Sequence, residues 1–178
     1  MHDSTNLLSR HGDGRPRIMG VINCTPDSFY DGSRSAQLEH SLEMVEKMIS
    51  EGADWIDIGG ESTRPGATEV SIDEEIRRTA PLILEIRKRF PNQAISIDTR
   101  RHQVAKEAII AGANMINDVS GLRDPEMCEL VLSTEVQVCI MHMQGEPGNM
   151  QNSPHYTDVV QEVSSNLLRK ARELVEQG

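Results

Sequence analysis

EGADWIDIGG, Glu51 to Gly60, reads as the end of a helix, a tight turn and a short strand in immediate succession. Gly52 stands where a chain leaving a helix needs a left-handed cap, a conformation that costs glycine least. Ala53 and Asp54 follow, and Trp55-Ile56-Asp57-Ile58 then supplies an apolar run that closes on Gly59-Gly60. The same order returns in AGANMINDVSG, Ala111 to Gly121, with Gly112 at the cap and Met115-Ile116 opening the run. Such a turn recurs in any βα protein, and it recurs more strictly in a barrel assembled from repeated βα units.

On either side of these two stretches, short apolar runs alternate with helical patterns. RIMGVIN (17–23), DWIDIGG (54–60), AISIDT (94–99), NMINDVS (114–120) and VQVCIMHM (136–143) are the predicted strands. Leu38, Leu42, Val45 and Ile49 fall at helical spacing, as do Ile72, Ile76, Ile83 and Ile86 behind a Ser71-x-x-Glu74 capping box. Pro81 interrupts that second pattern and predicts a kink or a break. Val104 and Ala108 mark a third helix, Met127, Leu130 and Val131 a short fourth, and Val159, Val163, Leu167 and Leu174 a long fifth. Strands alternating with helices predict a parallel α/β sheet of right-handed crossovers. In all five strands the polar residues gather toward the C-terminal end: Asn23, Asp57, Asp98, Asn117 and His142. Parallel sheets bind ligands at that face, so five in succession favour one shared site over five separate loop caps.

Bulk properties narrow the classes. The 178 residues suit one domain, read as a polar tail over 1–15 and a folded domain over 16–178. No apolar run approaches a membrane span, and the N-terminus lacks the apolar core of a secretory signal. Cys24, Cys128 and Cys139 are odd in number and form no CxxC pair, which argues against a disulfide framework and predicts a reducing, cytoplasmic setting. A net charge of −10 leaves no basic face for nucleic acid, although local donors can still hold an anionic small molecule. Aromatics make up only 3%, so the adjacent Phe29 and Tyr30 stand out.

Five segments carry a resemblance: MGVINCTPDSFYDGS (19–33), DIGGESTRPGA (57–67), SIDTRRHQV (96–104), INDVSG (116–121) and MHMQGEPGNMQ (141–151). In this order and spacing the chain resembles the dihydropteroate synthase family. The resemblance implies a (β/α)8 TIM-barrel fold and condensation of 7,8-dihydropterin-6-ylmethyl pyrophosphate with p-aminobenzoate. The products are dihydropteroate and pyrophosphate, and Mg²⁺ is the cofactor. It implies Asn23 as the metal ligand, an amide oxygen suited to a hard, water-retaining cation. Thr63 and Arg64 match pyrophosphate-binding positions, a hydroxyl beside a rigid fork of donors. Pro65 matches the aminobenzoate pocket, and Phe29 and Asp31 lie in a loop that closes over the second substrate. Asp31 and Asp98 are expected to offset positive charge on the pterin, with Asp31, Arg64 and Asp98 as the catalytic set.

Asp98 and Asn117 match pterin-contacting positions and are expected to face each other across the barrel mouth, reading the nitrogen-rich edge. Val119 and Met141, or Met143, would wall the pocket. Asp57 and Glu61 are read as groups that hold the loops, His142 as a buttress, and Cys24 as a small unreactive packing residue. Cys139 and His142, three apart on a strand, point to opposite faces and argue against zinc.

Five βα units fall short of an eight-fold barrel, which needs about 250 residues. The chain therefore reads as a C-terminally truncated barrel, inactive alone, whose full-length form is a homodimer. Two other readings are a non-catalytic or split pterin-binding half-barrel and the pterin-binding domain of a methyltetrahydrofolate methyltransferase. TPDSF and ESTRPG favour the synthase, because a methyltransferase holds no pyrophosphate.

Overall fold

Strands and helices alternate throughout the described residues (11–25, 34–62, 69–146 and 148–177) of a computed structural model of the chain. The order is β1 (Met19–Asn23), α1 (Arg34–Ser50), β2 (Trp55–Gly59), α2 (Ile72–Arg89), β3 (Ala94–Asp98), α3 (His102–Ala111), β4 (Met115–Asp118), α4 (Pro125–Leu132), β5 (Gln137–Ile140) and α5 (Val159–Gln177). The strands form one parallel sheet in the order β1-β2-β3-β4-β5.

Local chemistry accounts for the element ends. Gly52 and Gly112 adopt φ of +99° and +117°, and the Gly112 N–H donates to the carbonyls of Ala108 and Ile109. Ser71 caps α2, its side chain accepting from the Glu74 N–H at 3.3 Å. Asp73, Glu74 and Glu75 in the first turn and Arg87, Lys88 and Arg89 in the last complement the helix dipole. The break expected at Pro81 does not occur, because α2 runs through it as one helix. A missing N–H forfeits one backbone bond, whereas Leu82, Ile83 and Ile86 just beyond it are at most 1% exposed and hold the helix to the sheet.

Alternation along the strands separates two faces. Ile22, Ile56, Ile58, Ile95, Ile97 and Ile116 point outward and form a single core with Leu42 and Val45 of α1, the α2 apolar face, and Val104, Ala105 and Ala108 of α3. The inner face starts with a separate small cluster of Trp55, Ala94 and Met115 and turns polar toward the strand ends.

This is a TIM-barrel-type sheet of five βα units, incomplete as a barrel, with β1 and β5 as its edges. Met19 and Val21 on β1 are 37% and 49% exposed, and Cys139 on β5 is exposed as well. Helix α5 forms where its periodicity predicted, but none of its residues is buried among the described ones. No described helix is long and apolar enough to cross a membrane.

Candidate active site at the strand ends

Parallel register sets one row of residues side by side at the C-terminal rim: Asn23, Gly59, Asp98, Asn117 and Cys139. Gly59 leaves a gap in that row. A Cβ there would lie 3.5 Å from Asp98 Oδ2 and 3.7 Å from Asn23 Oδ1, so the missing side chain opens a cradle between two oxygen donors. Hard cations take oxygen ligands, and the donor set fits Mg²⁺ with Asn23 as the neutral ligand.

Asp98 and Asn117 do not face each other across the mouth. They are register partners on adjacent strands, so both present their polar ends to the same side of a ligand. Asp57 also departs from expectation, since it sits one row lower, paired with Ser96 rather than in the rim. Among the described residues it holds a side chain: the Asn117 Nδ2 donates to Asp57 Oδ2 at 3.1 Å. Asp57 Oδ1 and Ser96 Oγ each lack a hydrogen-bond partner among the described residues.

Burial and crowding set the electrostatics. Burial pushes the Asp98 carboxyl up to about 7, and the carboxylates of Asp57, Glu75, Asp118 and Glu61 add to the push. Burial also raises Asp57, partly offset by the Asn117 amide. Near neutral pH, Asp98 thus populates both forms and can either donate to or accept from a heterocycle.

A second network ties the residues flanking 62–69. Glu61 accepts from the Val70 N–H at 3.2 Å, Arg101 at 2.9 Å and Arg100 at 3.2 Å. Arg101 also donates to the Val70 carbonyl and to Glu75 at 3.0 Å. Glu75, 1% exposed, accepts from the Thr99 hydroxyl at 2.7 Å. Glu61 is thereby placed in the loop-holding position read from the sequence, whereas Glu75, Thr99 and Arg101 were missed. For Thr99 and Arg101 the one sequence signal is the TRR run directly after β3, whereas Glu75 lies within the first turn of α2.

The remaining candidates are placed unevenly. Val119 lies half-buried in the turn after β4, and Met141 is 39% exposed against 7% for Met143. Met141, His142 and Met143 line a cavity of about 210 Å³ against α5, together with Ser120 and Lys170. His142 Nε2 is 3.2 Å from the Tyr156 hydroxyl, which anchors the segment after β5. Burial pushes the Cys24 thiol up to about 12, so it keeps its proton and acts as packing. Phe29, Asp31, Thr63, Arg64 and Pro65 lie outside the described residues.

Two features compete for attention and carry less. A cavity of about 560 Å³ between α1 and α2 is lined by Cys24, Leu38, Ser41 and Leu82, on the helix side of the sheet. His102, Asp124 and Glu126 cluster at the starts of α3 and α4. There Nδ1 and Nε2 each lie 2.9 Å from a different carboxylate, so the ring bridges Asp124 and Glu126.

Fold and rim together define a TIM-barrel-type protein whose candidate site lies at the C-terminal strand ends. A family model described as pterin binding enzyme matches residues 19–178, and the chain belongs to that family. The dihydropteroate synthase of Haemophilus influenzae is 45% identical over 163 residues, covering 92% of this chain and 59% of the relative. The Yersinia pestis dihydropteroate synthase, solved with a sulfonamide drug complex, superposes with a TM-score of 0.85 at 42% identity, covering 96% of this chain and 63% of that one. The Burkholderia cenocepacia enzyme complexed with 7,8-dihydropteroate gives 0.79 at 42% identity, covering 92% and 55%. The chain thus spans between half and two thirds of the length of these three relatives.

Proposed function

We propose that these βα units belong to a dihydropteroate synthase, which condenses 7,8-dihydropterin-6-ylmethyl pyrophosphate with p-aminobenzoate. The observation that carries the proposal is the Asp98–Asn117 pair beside the Gly59 cradle, at the rim of a sheet that matches synthases in both sequence and shape. Asn23 would hold Mg²⁺ at that cradle, and the ion when bound supplies positive charge for the departing pyrophosphate. Thr63 and Arg64 donate to the pyrophosphate oxygens as the methylene C–O bond breaks and its electron pair leaves with the anion. The dihydropterin ring delocalises the cation left behind, and ionised Asp98 and Asp31 offset it. Asn117 orients the ring, Val119 and Met141 flank it, and Phe29 and Pro65 position the aminobenzoate. The arylamine nitrogen then bonds to the methylene carbon and gives its proton to water. No covalent enzyme intermediate is needed, because positioning and electrostatics lower the barrier.

The same proposal sets the protein in the cytoplasm as a homodimer. The 178 residues alone, with the inner face of β1 and β5 open, are expected to show no turnover. The test is product formation by the native protein isolated from its own cell. Dihydropteroate and pyrophosphate should appear in equal amounts, chelation of divalent metal should stop them, and D98A should lower kcat by roughly 100-fold or more. A folded native protein that binds pterin but forms no dihydropteroate would overturn the assignment.

A further inference from the structure

We propose that Asp57 is a positioning residue that fixes which way the Asn117 side-chain amide faces, and so sets the order of donor and acceptor the rim offers to a heterocycle. The inference rests on the pterin-binding reading above and assigns a role to a residue below the rim that would not touch the ligand.

The chemistry follows from one contact. Asn117 Nδ2 donates to Asp57 Oδ2 at 3.1 Å. An amide can be turned end for end at little cost when its neighbours both donate and accept, but a carboxylate oxygen only accepts. With nitrogen held downward, Asn117 turns its oxygen and its second N–H outward in one fixed order. The other Asp57 oxygen, Oδ1, has no hydrogen-bond partner among the described residues, and Ser96 is the register partner of Asp57. A proton on Oδ2 would meet the Asn117 N–H donor against donor, so in this 3%-exposed carboxyl Oδ2 is held as the acceptor. Flipping the amide would set its carbonyl against Oδ2, two acceptors in a buried site, which is costly. Asp98, the register neighbour of Asn117, offers its carboxyl on the same side. The rim then reads one donor–acceptor order and rejects its mirror.

Pterin and lumazine supply that contrast. Pterin carries an amino donor next to a ring-nitrogen acceptor, and lumazine carries a carbonyl acceptor next to a ring N–H. Equilibrium binding of both to the 178-residue chain should favour pterin, and D57L, which removes the acceptor, should cut that preference by ~10-fold, the size of one mispaired buried hydrogen bond. D57N, which can still turn an oxygen toward Asn117, should recover most of it.

A second readout needs no ligand. In the ¹⁵N spectrum of the free wild-type chain, one Asn117 side-chain proton should be shifted downfield and slow to exchange. That signature should be absent in D57L and present in D57N. An unshifted Asn117 amide in wild type would overturn the inference even if D57L fails to fold. Unchanged pterin-to-lumazine preference in D57L would overturn it while leaving pterin binding intact. A wild-type chain with the shifted amide that binds neither heterocycle would instead overturn the pterin reading, and with it the ligand assigned here.

Discussion

Asp98 is where burial and function meet in one side chain. Its folded-state pKa of about 7 lies above the ordinary 3.8. The neutral form is therefore favoured by folding. The stability it contributes is fully present below about pH 4 and is lost as pH rises through 7. Denaturant midpoints should accordingly fall between pH 5 and pH 8, and D98N should flatten that fall; a wild-type midpoint that is level or rises over the window contradicts the assignment. Asp57 and Glu75 are raised for the same reason, so part of the slope should survive in D98N. At this scale the sequence was partly legible. Asn23, Asp98 and Asn117 could be picked out because polar residues ending apolar runs stand out. Asp57 could not be distinguished from them, because register, which lowers it by one row, is a property of strand pairing rather than of the chain.

The Arg101 network belongs to the scale of elements, because it joins α2, the end of β3 and the residues on both sides of 62–69. R101M would leave Glu75 buried without its cation, and loss of one partner of a buried pair costs about 3 kcal/mol. Urea unfolding should show that loss, and R101M/E75Q should regain most of it, since a neutral glutamine needs no counter-charge. An R101M variant as stable as wild type would contradict the network's role. G112A tests the turn that decides the fold. At φ +117°, with an added Cβ only 3.0 Å from Arg87 Cγ, the substitution should cost at least ~1 kcal/mol. The ten elements were legible from periodicity, caps and glycines, whereas two features were not. Pro81 reads as a helix breaker until the burial of its neighbours is known. The α5 pattern predicts a buried face, yet α5 is only half-covered: Leu174 packs against the edge of the core and no described residue of the helix is fully buried, an outcome periodicity alone does not specify.

For the molecule as a whole, closure decides behaviour. Interior strands β2 and β3 are covered, while Ile18, Met19 and Val21 around β1 and Val160 and Val175 on α5 are exposed. Open parallel edges with apolar side chains invite association. Sedimentation of the 178-residue chain should therefore show concentration-dependent self-association, and a monomer at every concentration would contradict this. The polar rim lies on strands β1 to β5 and does not itself depend on closure, so pterin recognition should outlast the loss of turnover. Equilibrium binding of 7,8-dihydropterin-6-ylmethyl pyrophosphate with Mg²⁺ to this chain therefore tests the assignment most directly. Saturable binding that Mg²⁺ strengthens and that D98A weakens by ~10-fold or more is expected. Binding that is absent, or that is equal in wild type and D98A, would show that the rim of Asn23, Asp98 and Asn117 is not a pterin site.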